Sequence, residues 1–109
     1  GYFYITDRIK RMINASGFKV WPAEVENLLF RHPGIQEACV VGSQDPYRGE
    51  TVRAVVVRRP SHPGLDADTL IEWCRENMAA YKVPKIVDFV DALPKNGSGK
   101  IMWREVQDL

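Results

Sequence analysis

Two short apolar runs constrain the fold of this chain more than any other feature of its sequence. The run TVRAVVVRR, residues 51–59, is rich in β-branched side chains, and the apolar run IQEACVVGS, residues 35–43, precedes it. β-branched side chains favour strands because they fit the pleated surface of a sheet. We therefore predict two strands, joined by a loop over residues 45–50.

A helix is predicted before the first of these strands, in the segment PAEVENLLFRH. Val25, Leu28 and Leu29 fall on one face at helical spacing. Pro22 is well placed in the first turn, where a missing backbone N–H costs nothing. The segment therefore predicts an amphipathic helix that packs on the sheet.

A second helix is predicted after the strands. Asp66 can cap its first turn, and the apolar face contains Leu70, Ile71, Cys74 and Met78. Further strands are predicted at GYFYIT, IKRMIN and IVDFV, and a last helix from about Lys100 with Met102, Val106 and Leu109 on one side. This order of elements predicts an α+β fold with helices packed on a small mixed β-sheet.

Length and charge limit the classes of protein to consider. The 109 residues suit a single domain over residues 1–109. Since the first residue is Gly1 and the chain opens inside an apparent strand, we expect a fragment of a larger protein. The net charge of +1 gives no basic surface for nucleic acid or membranes. The sequence contains neither a run long enough for a transmembrane segment nor a signal-peptide pattern.

The cysteines and histidines favour structural roles. Cys39 and Cys74 lie in apolar patterns, which favours buried free thiols and a reducing, cytoplasmic location. His32 and His62 do not have the spacing of metal ligands and are interpreted as surface or loop residues. We therefore expect no metal ligand in this chain.

The segment PKNGSGKIMWR, residues 94–104, places Lys100 between a Gly-Ser-Gly loop and an apolar segment. It does not match a P-loop, because Pro94 stands where glycine is required and Ile101 stands where a hydroxyl is required. Taken alone, Lys100 is either a solvated loop lysine or a mobile lysine that reaches into a site built elsewhere.

Two segments resemble one family. DRIKRMINASGFKVWPAEVE, residues 7–26, is similar to the segment that opens the small C-terminal domain of acyl-adenylate-forming enzymes, and PKNGSGKI, residues 94–101, is similar to its closing motif. The two segments occur in the family's order and cover essentially the whole chain. Within the superfamily, the sequence most resembles the AMP-forming medium- and long-chain fatty acyl-CoA synthetases.

The resemblance implies a ligase reaction in two steps. A carboxylic acid, expected to be a fatty acid, reacts with ATP and Mg²⁺ to give an acyl-adenylate, and coenzyme A then displaces AMP. The small domain is mobile and presents a different face for each step. It works with a large N-terminal domain that this chain lacks and that supplies most substrate contacts, so the isolated fragment is expected to be inactive.

The resemblance also implies roles for individual residues. Lys100 corresponds to the lysine that reaches the α-phosphate and carboxylate, and Asn96 stands where many members carry threonine. Arg8 corresponds to an arginine near the ribose, although a strand-edge arginine paired with Asp7 is the alternative. Lys10 falls at the hinge, with an exposed strand lysine as its alternative.

A second set of residues corresponds to the coenzyme A site. Ser16 and Gly17 correspond to the turn that lines the pantetheine tunnel, and an ordinary tight turn is compatible with that role. Lys19 and Arg48 are candidates for the phosphates of coenzyme A, and solvated surface charge is the alternative for each. Weaker candidates for the same phosphates are Arg75 and Lys82.

Two other functions stay open. An adenylation domain that loads the phosphopantetheine arm of a carrier protein would keep Lys100 and the hinge, but it would need less from Lys19 and Arg48. A non-enzymatic interaction domain would make both motifs chance matches. An upstream domain with a phosphate loop rich in Ser, Thr and Gly would separate these alternatives.

Overall fold

The computed structural model describes residues 11–15, 17–47 and 49–108. The predicted strand at residues 1–6 and Leu109 lie outside the described residues. The elements are, in chain order, β1 (Ile13–Ala15), β2 (Phe18–Val20), α1 (Pro22–Leu29), β3 (Ile35–Asp45), β4 (Gly49–Arg58), α2 (Ala67–Asn77), a 3-10 helix (Ala80–Lys82), β5 (Ile86–Phe89) and α3 (Trp103–Gln107).

The strands form one sheet in the order β2-β1-β4-β3, and β5 also pairs with β4. β3 and β4 form a long antiparallel hairpin that runs from Ile35 opposite Arg58 to Asp45 opposite Gly49. β5 runs parallel to β4 over residues 86–89, so the sheet is mixed. This arrangement confirms the predicted α+β fold.

The β3–β4 hairpin loop is shorter than predicted. Residues 45–50 were predicted to form the loop, but Asp45 pairs with Gly49, so both of these residues belong to strands. The Asp45 carboxylate accepts a hydrogen bond from the backbone N–H of Tyr47 at 2.8 Å. This local turn allows strand pairing to continue closer to the tip than the polar sequence indicated.

Both faces of the hairpin are buried, which explains why its strands contain nearly continuous apolar runs. On one face, residues of α1 and α2 pack over the main core, which includes Val25, Leu29, Val40, Val56 and Leu70. A smaller cluster covers the opposite face and contains Cys39, Val41, Val55, Val57, Leu93 and Val106.

The two longer helices begin as predicted. Pro22 occupies the first turn of α1. The Asp66 carboxylate accepts a hydrogen bond from the Thr69 backbone N–H at 2.8 Å and caps α2. That hydrogen bond lowers the pKa of the Asp66 carboxyl.

The predicted start of the last helix at Lys100 was wrong. α3 begins at Trp103, and Met102 is its N-cap residue. Ile101 instead forms an antiparallel bridge with Lys95. The apolar sequence Ile-Met-Trp suits both structures, and the backbone hydrogen bond from Met102 N–H to the Pro94 carbonyl, at 2.9 Å, favours the turn.

Side chains occupy the outer edge of β3, which is the last strand in the sheet order. Glu26 Oε2 accepts a hydrogen bond from the Val40 backbone N–H at 2.8 Å, and Arg11 donates to the Val40 carbonyl at 3.3 Å. Further along, Gln107 of α3 donates to the Gly42 carbonyl at 3.2 Å. The helices therefore satisfy backbone groups that another strand would otherwise bind.

The cysteines have the predicted structural role. Cys39 and Cys74 are free and buried. Burial raises the pKa of the Cys39 thiol to about 12 and that of Cys74 to about 11. Over the described ranges there is no group of three or more His, Cys, Asp or Glu side chains that could hold a metal ion, and no helix long and apolar enough to cross a membrane.

His32 lies in the loop after α1, as predicted, and it is half-buried. Its ring lies edge-on to Trp73, with 5.1 Å between ring centroids. Its Nδ1 accepts a hydrogen bond from the Gly34 backbone N–H at 2.9 Å. Burial lowers the pKa of His32, and the nearby His62 lowers it further.

Candidate functional site

Lys100 is exposed on a turn that Asn96 organises. Asn96 Oδ1 accepts hydrogen bonds from the backbone N–H of Ser98 at 3.0 Å, from the Ser98 hydroxyl at 3.1 Å and from the backbone N–H of Lys100 at 3.0 Å. The Asn96 N–H donates to the Lys100 carbonyl at 2.9 Å. Gly99 adopts φ of +83°, a conformation that favours glycine.

Contacts at its base attach this turn to the sheet. Lys95 pairs with the Glu37 carboxylate on β3, and the partly buried Ile101 and Trp103 pack against the smaller core cluster. A shallow cavity of about 240 Å³ beside the turn is lined by Asn96, Lys100, Ile101, Met102, Trp103, Arg104 and Glu105. The residues on both sides of the turn are therefore fixed to the sheet, while Lys100 itself is exposed.

A second candidate region lies around Gly17, between β1 and β2. Gly17 has φ of +86°, and a Cβ atom built there meets no heavy atom within 4 Å. Gly17 lines an open cavity of about 450 Å³ together with Asn14, Gln44, Gly49 and Glu50. The structure thus brings Gly17, from the predicted tunnel turn, next to the start of β4 at Gly49. Arg48 immediately precedes Gly49 in the sequence.

Lys19 lies near the same region. It is exposed on β2 and pairs directly with Asn14 of β1, which lines the cavity. Glu50 Oε1 accepts a hydrogen bond from the Asn14 backbone N–H at 3.2 Å and ties the β3–β4 hairpin to β1. The described residues therefore include a cation and an open backbone turn at one end of the sheet.

The weaker candidates Arg75 and Lys82 do not line this cavity. Arg75 is exposed on α2 and pairs with Glu72. Lys82 pairs with the Glu24 carboxylate, and this hydrogen bond raises the pKa of Lys82. Both cations already have carboxylate partners that a phosphate would have to displace.

Four predicted site residues lie outside the described residues. Arg8 and Lys10 precede the first described range, and Ser16 and Arg48 fall in the gaps between ranges. Their roles in ribose binding, hinge motion and coenzyme A binding stay predictions.

The two candidate regions are attached to opposite ends of β3. The Lys100 turn is fixed through Glu37, whereas Gln44 lines the Gly17 cavity. Gln44 lies seven residues after Glu37, and at about 3.4 Å per strand residue the two backbone positions are roughly 24 Å apart. The points at which the two regions attach to β3 are therefore well separated along one strand.

Three contacts near these regions were not predicted from the sequence. The side chain of Asn96 was noted only as a departure from threonine, although Asn-Gly-Ser-Gly is a typical turn sequence. The Arg11–Glu26 ion pair, at 2.6 Å, has no local sequence signal. The exposed rings of Phe18 and Tyr81 stack with 4.9 Å between centroids, and their separation in the sequence hides this contact.

This small α+β domain, with a lysine turn and a glycine-lined cavity, belongs to the AMP-binding enzyme C-terminal domain family, whose model matches residues 24–100. A feruloyl-CoA synthase from Amycolatopsis is 48% identical over 107 residues, covering 98% of this chain and 22% of that protein. A long-chain-fatty-acid–CoA ligase from Escherichia coli is 44% identical over 108 residues, covering 99% of this chain and 19% of that protein.

A solved structure shows the same fold. The fatty acyl-CoA synthetase of Mycobacterium tuberculosis superposes with a TM-score of 0.85 at 36% identity, covering 93% of this chain and 20% of that one. The present chain thus spans about a fifth of the length of the relatives that it matches.

Proposed function

We propose that this chain is the mobile C-terminal domain of an AMP-forming acyl-CoA synthetase, an acid–thiol ligase. The observation that carries the proposal is the attachment of the Lys100 turn and the Gly17 cavity to opposite ends of β3. A two-step ligase requires one set of groups for adenylation and another for thiol transfer, and this separation supports one region for each step.

In the first step, a carboxylate oxygen attacks the α-phosphorus of ATP, the acyl–AMP bond forms and pyrophosphate leaves. Lys100 is proposed to place its ammonium group near the α-phosphate and the carboxylate. A positioned cation stabilises the charge that develops there, most strongly where water is excluded. Mg²⁺ is proposed to enter bound to ATP, and no residue of this domain is proposed to bind it.

In the second step, the thiol of coenzyme A attacks the acyl carbon and AMP leaves with the bonding electrons. The turn at Ser16 and Gly17 is proposed to line the pantetheine path, and the open space around Gly17 supports this. Lys19 and Arg48 are proposed to bind the phosphates. Arg75 and Lys82 are weaker candidates, because each is paired with a carboxylate in this structure.

Movement between the two steps is assigned to the segment before β1. Lys10 is proposed as the hinge, and Arg8 as a ligand of the ribose. The partner in this movement is a large N-terminal domain of the same protein, and coverage of only about a fifth of the relatives supports its existence. That domain is proposed to bind most of the ATP and acyl substrate, so this chain alone is not expected to catalyse the reaction.

The proposed acyl substrate is a carboxylic acid, most simply a fatty acid. The E. coli and M. tuberculosis relatives carry fatty-acid names, and the Amycolatopsis relative is named for feruloyl-CoA. All three names specify coenzyme A, which favours coenzyme A over a carrier protein as the acceptor. A cytoplasmic location is proposed from the two free thiols.

The test is Lys100→Ala in the full-length protein, with the two half-reactions measured separately. We expect pyrophosphate exchange to be lost, while thioester formation from pre-made acyl-adenylate is largely retained. Lys85→Ala, which removes another exposed lysine, is the matched control and should leave pyrophosphate exchange intact. Equal loss of both half-reactions in Lys100→Ala would contradict the assignment of one region to each step.

A further inference from the structure

We infer that Asn96 is a positioning residue that holds the Lys100 turn in its active shape. This inference rests on the proposed function and extends it to a residue for which sequence analysis predicted no role. One side-chain oxygen receives three hydrogen bonds, at 3.0, 3.1 and 3.0 Å, and one of the donors is the backbone N–H of Lys100 itself.

Backbone hydrogen bonds also close the same turn. Asn96 and Lys100 are joined by a backbone hydrogen bond of 2.9 Å, and the Gly99 N–H donates to the Asn96 carbonyl at 3.0 Å. Below them, Lys95 and Ile101 form an antiparallel bridge. The segment Gly97-Ser98-Gly99 looks flexible in the sequence. In the structure, Ser98, Gly99 and the following Lys100 all donate hydrogen bonds to Asn96.

A fixed turn changes how Lys100 reaches its target. The Gly97-Ser98-Gly99 sequence taken alone left open a mobile lysine that reaches into the site by itself. With the backbone of Lys100 fixed to Asn96, the lysine instead enters and leaves the site with the domain as a whole. Rotations of the lysine side chain are then the main local freedom. Ordering of the turn in advance reduces the entropy that is lost when the site closes.

The experiment compares Asn96→Ala and Asn96→Asp in the full-length protein. Asp keeps an acceptor oxygen at the Oδ1 position, whereas Ala removes it. We expect Asn96→Ala to reduce pyrophosphate exchange by roughly tenfold to a hundredfold, as a misplaced catalytic group does. The loss should appear in the maximal rate more than in the Michaelis constant for ATP. Asn96→Asp should recover most of the rate, and thioester formation from pre-made acyl-adenylate should change little in both variants.

Hydrogen–deuterium exchange, followed by mass spectrometry over residues 94–102, reports on the turn without any substrate. Exchange should be faster in Asn96→Ala than in the unmodified protein or in Asn96→Asp. Asn77→Ala is the matched control, because that exposed side chain bonds the Trp73 carbonyl within α2. It should alter neither exchange in this segment nor the adenylation rate.

The outcomes separate this inference from the proposed function. Unchanged exchange in Asn96→Ala, or faster exchange with an undiminished adenylation rate, would overturn the positioning role while Lys100→Ala still tests the function. Undiminished adenylation in Lys100→Ala would overturn the proposed role of Lys100 and with it the role of Asn96. Equal loss of activity in Asn96→Ala and Asn96→Asp would show that the acceptor oxygen is not what matters.

Discussion

At Gly17 the backbone has φ of +86°, and the space where a side chain would lie is open. A substitution there therefore has two separable effects. Any side chain strains the turn, because this left-handed backbone conformation costs a residue other than glycine about 1–2 kcal/mol of conformational free energy. Only a large side chain extends into the adjoining cavity of about 450 Å³.

We therefore predict that Gly17→Leu slows thioester formation and spares adenylation. Overpacking costs about 1–3 kcal/mol, and this cost in the second step corresponds to a roughly fivefold to 150-fold loss of rate. Rapid-quench assays of each half-reaction would measure the effect. Gly17→Ala controls for backbone strain, and Gly64→Leu controls for a new leucine at another exposed glycine. Loss of pyrophosphate exchange in well-folded Gly17→Leu would refute this assignment of the turn.

His32 predicts a pH dependence of stability. Its pKa lies below the ordinary value of 6.5, mainly because the ring is partly removed from water. The unfolded chain therefore binds more protons at this group, so the stability that neutral His32 contributes is complete above about pH 6.5 and falls as the pH drops below it. Protonation also removes the Nδ1 lone pair that accepts from the Gly34 N–H.

Thermal melts of the chain between pH 5 and pH 7.5 would test this prediction. The melting temperature should rise from pH 5 to about pH 6.5 and then level off. His32→Asn keeps an acceptor near the Nδ1 position without a titratable group, so the slope should become smaller. A slope that is unchanged in His32→Asn would assign the pH dependence to other groups.

Single residues were predictable from sequence where their role is local. Asp66 and Pro22 act within one helical turn, and both have the predicted position. Asn96 also acts locally, but its role depends on a turn that ends at Ile101. The apolar residues from Ile101 to Trp103 instead favoured a helix that begins earlier, at about Lys100. The partner of Glu26 was not predictable, because Arg11 and Val40 are distant in the sequence.

At the scale of elements, Glu26 connects α1 to β3. Its Oε2 accepts from Arg11 at 2.6 Å and from the Val40 N–H at 2.8 Å, and the two charged side chains are only 19% and 15% exposed. Removal of the carboxylate leaves a largely buried guanidinium and a buried backbone N–H without this partner. An unsatisfied buried group costs about 1–3 kcal/mol.

We predict that Glu26→Ala lowers the free energy of unfolding by about 2–4 kcal/mol, since a charge and an amide lose their acceptor together. Denaturant titration measures this change. Glu24→Ala on the same helix is the control, because the Glu24–Lys82 pair is more exposed and such pairs contribute about 0–1 kcal/mol. Equal effects of the two substitutions would mean that burial of the Glu26 contacts adds no stability.

For the whole molecule, we predict that the 109-residue chain folds without its partner domain. Its sheet has buried clusters on both faces, and the hairpin of β3 and β4 connects them. Far-ultraviolet circular dichroism with a cooperative thermal transition would support this prediction. An unfolded spectrum for the purified chain would contradict it. The same preparation should form no acyl-CoA, because most substrate contacts are assigned to the other domain.

The sequence predicted the fold class and the family, because both depend on local patterns and on two motifs near opposite ends of the chain. It could not predict that Gly17 and Gly49 line one cavity, since that requires the pairing of Ala15 with Gly49. The sequence also did not predict that the Lys100 turn and that cavity attach at different ends of β3, because this depends on tertiary contacts at Glu37 and Gln44.

The covered edge of β3 has a consequence for aggregation. An open strand edge can bind the edge of another molecule and start a growing sheet. At Val40 this edge is blocked by Glu26 and Arg11, which precede β3 in the chain. At Gly42 the block comes from Gln107, which is synthesised long after β3. In a growing chain the edge at Val40 can therefore be covered before the edge at Gly42, which stays open to another strand until α3 docks.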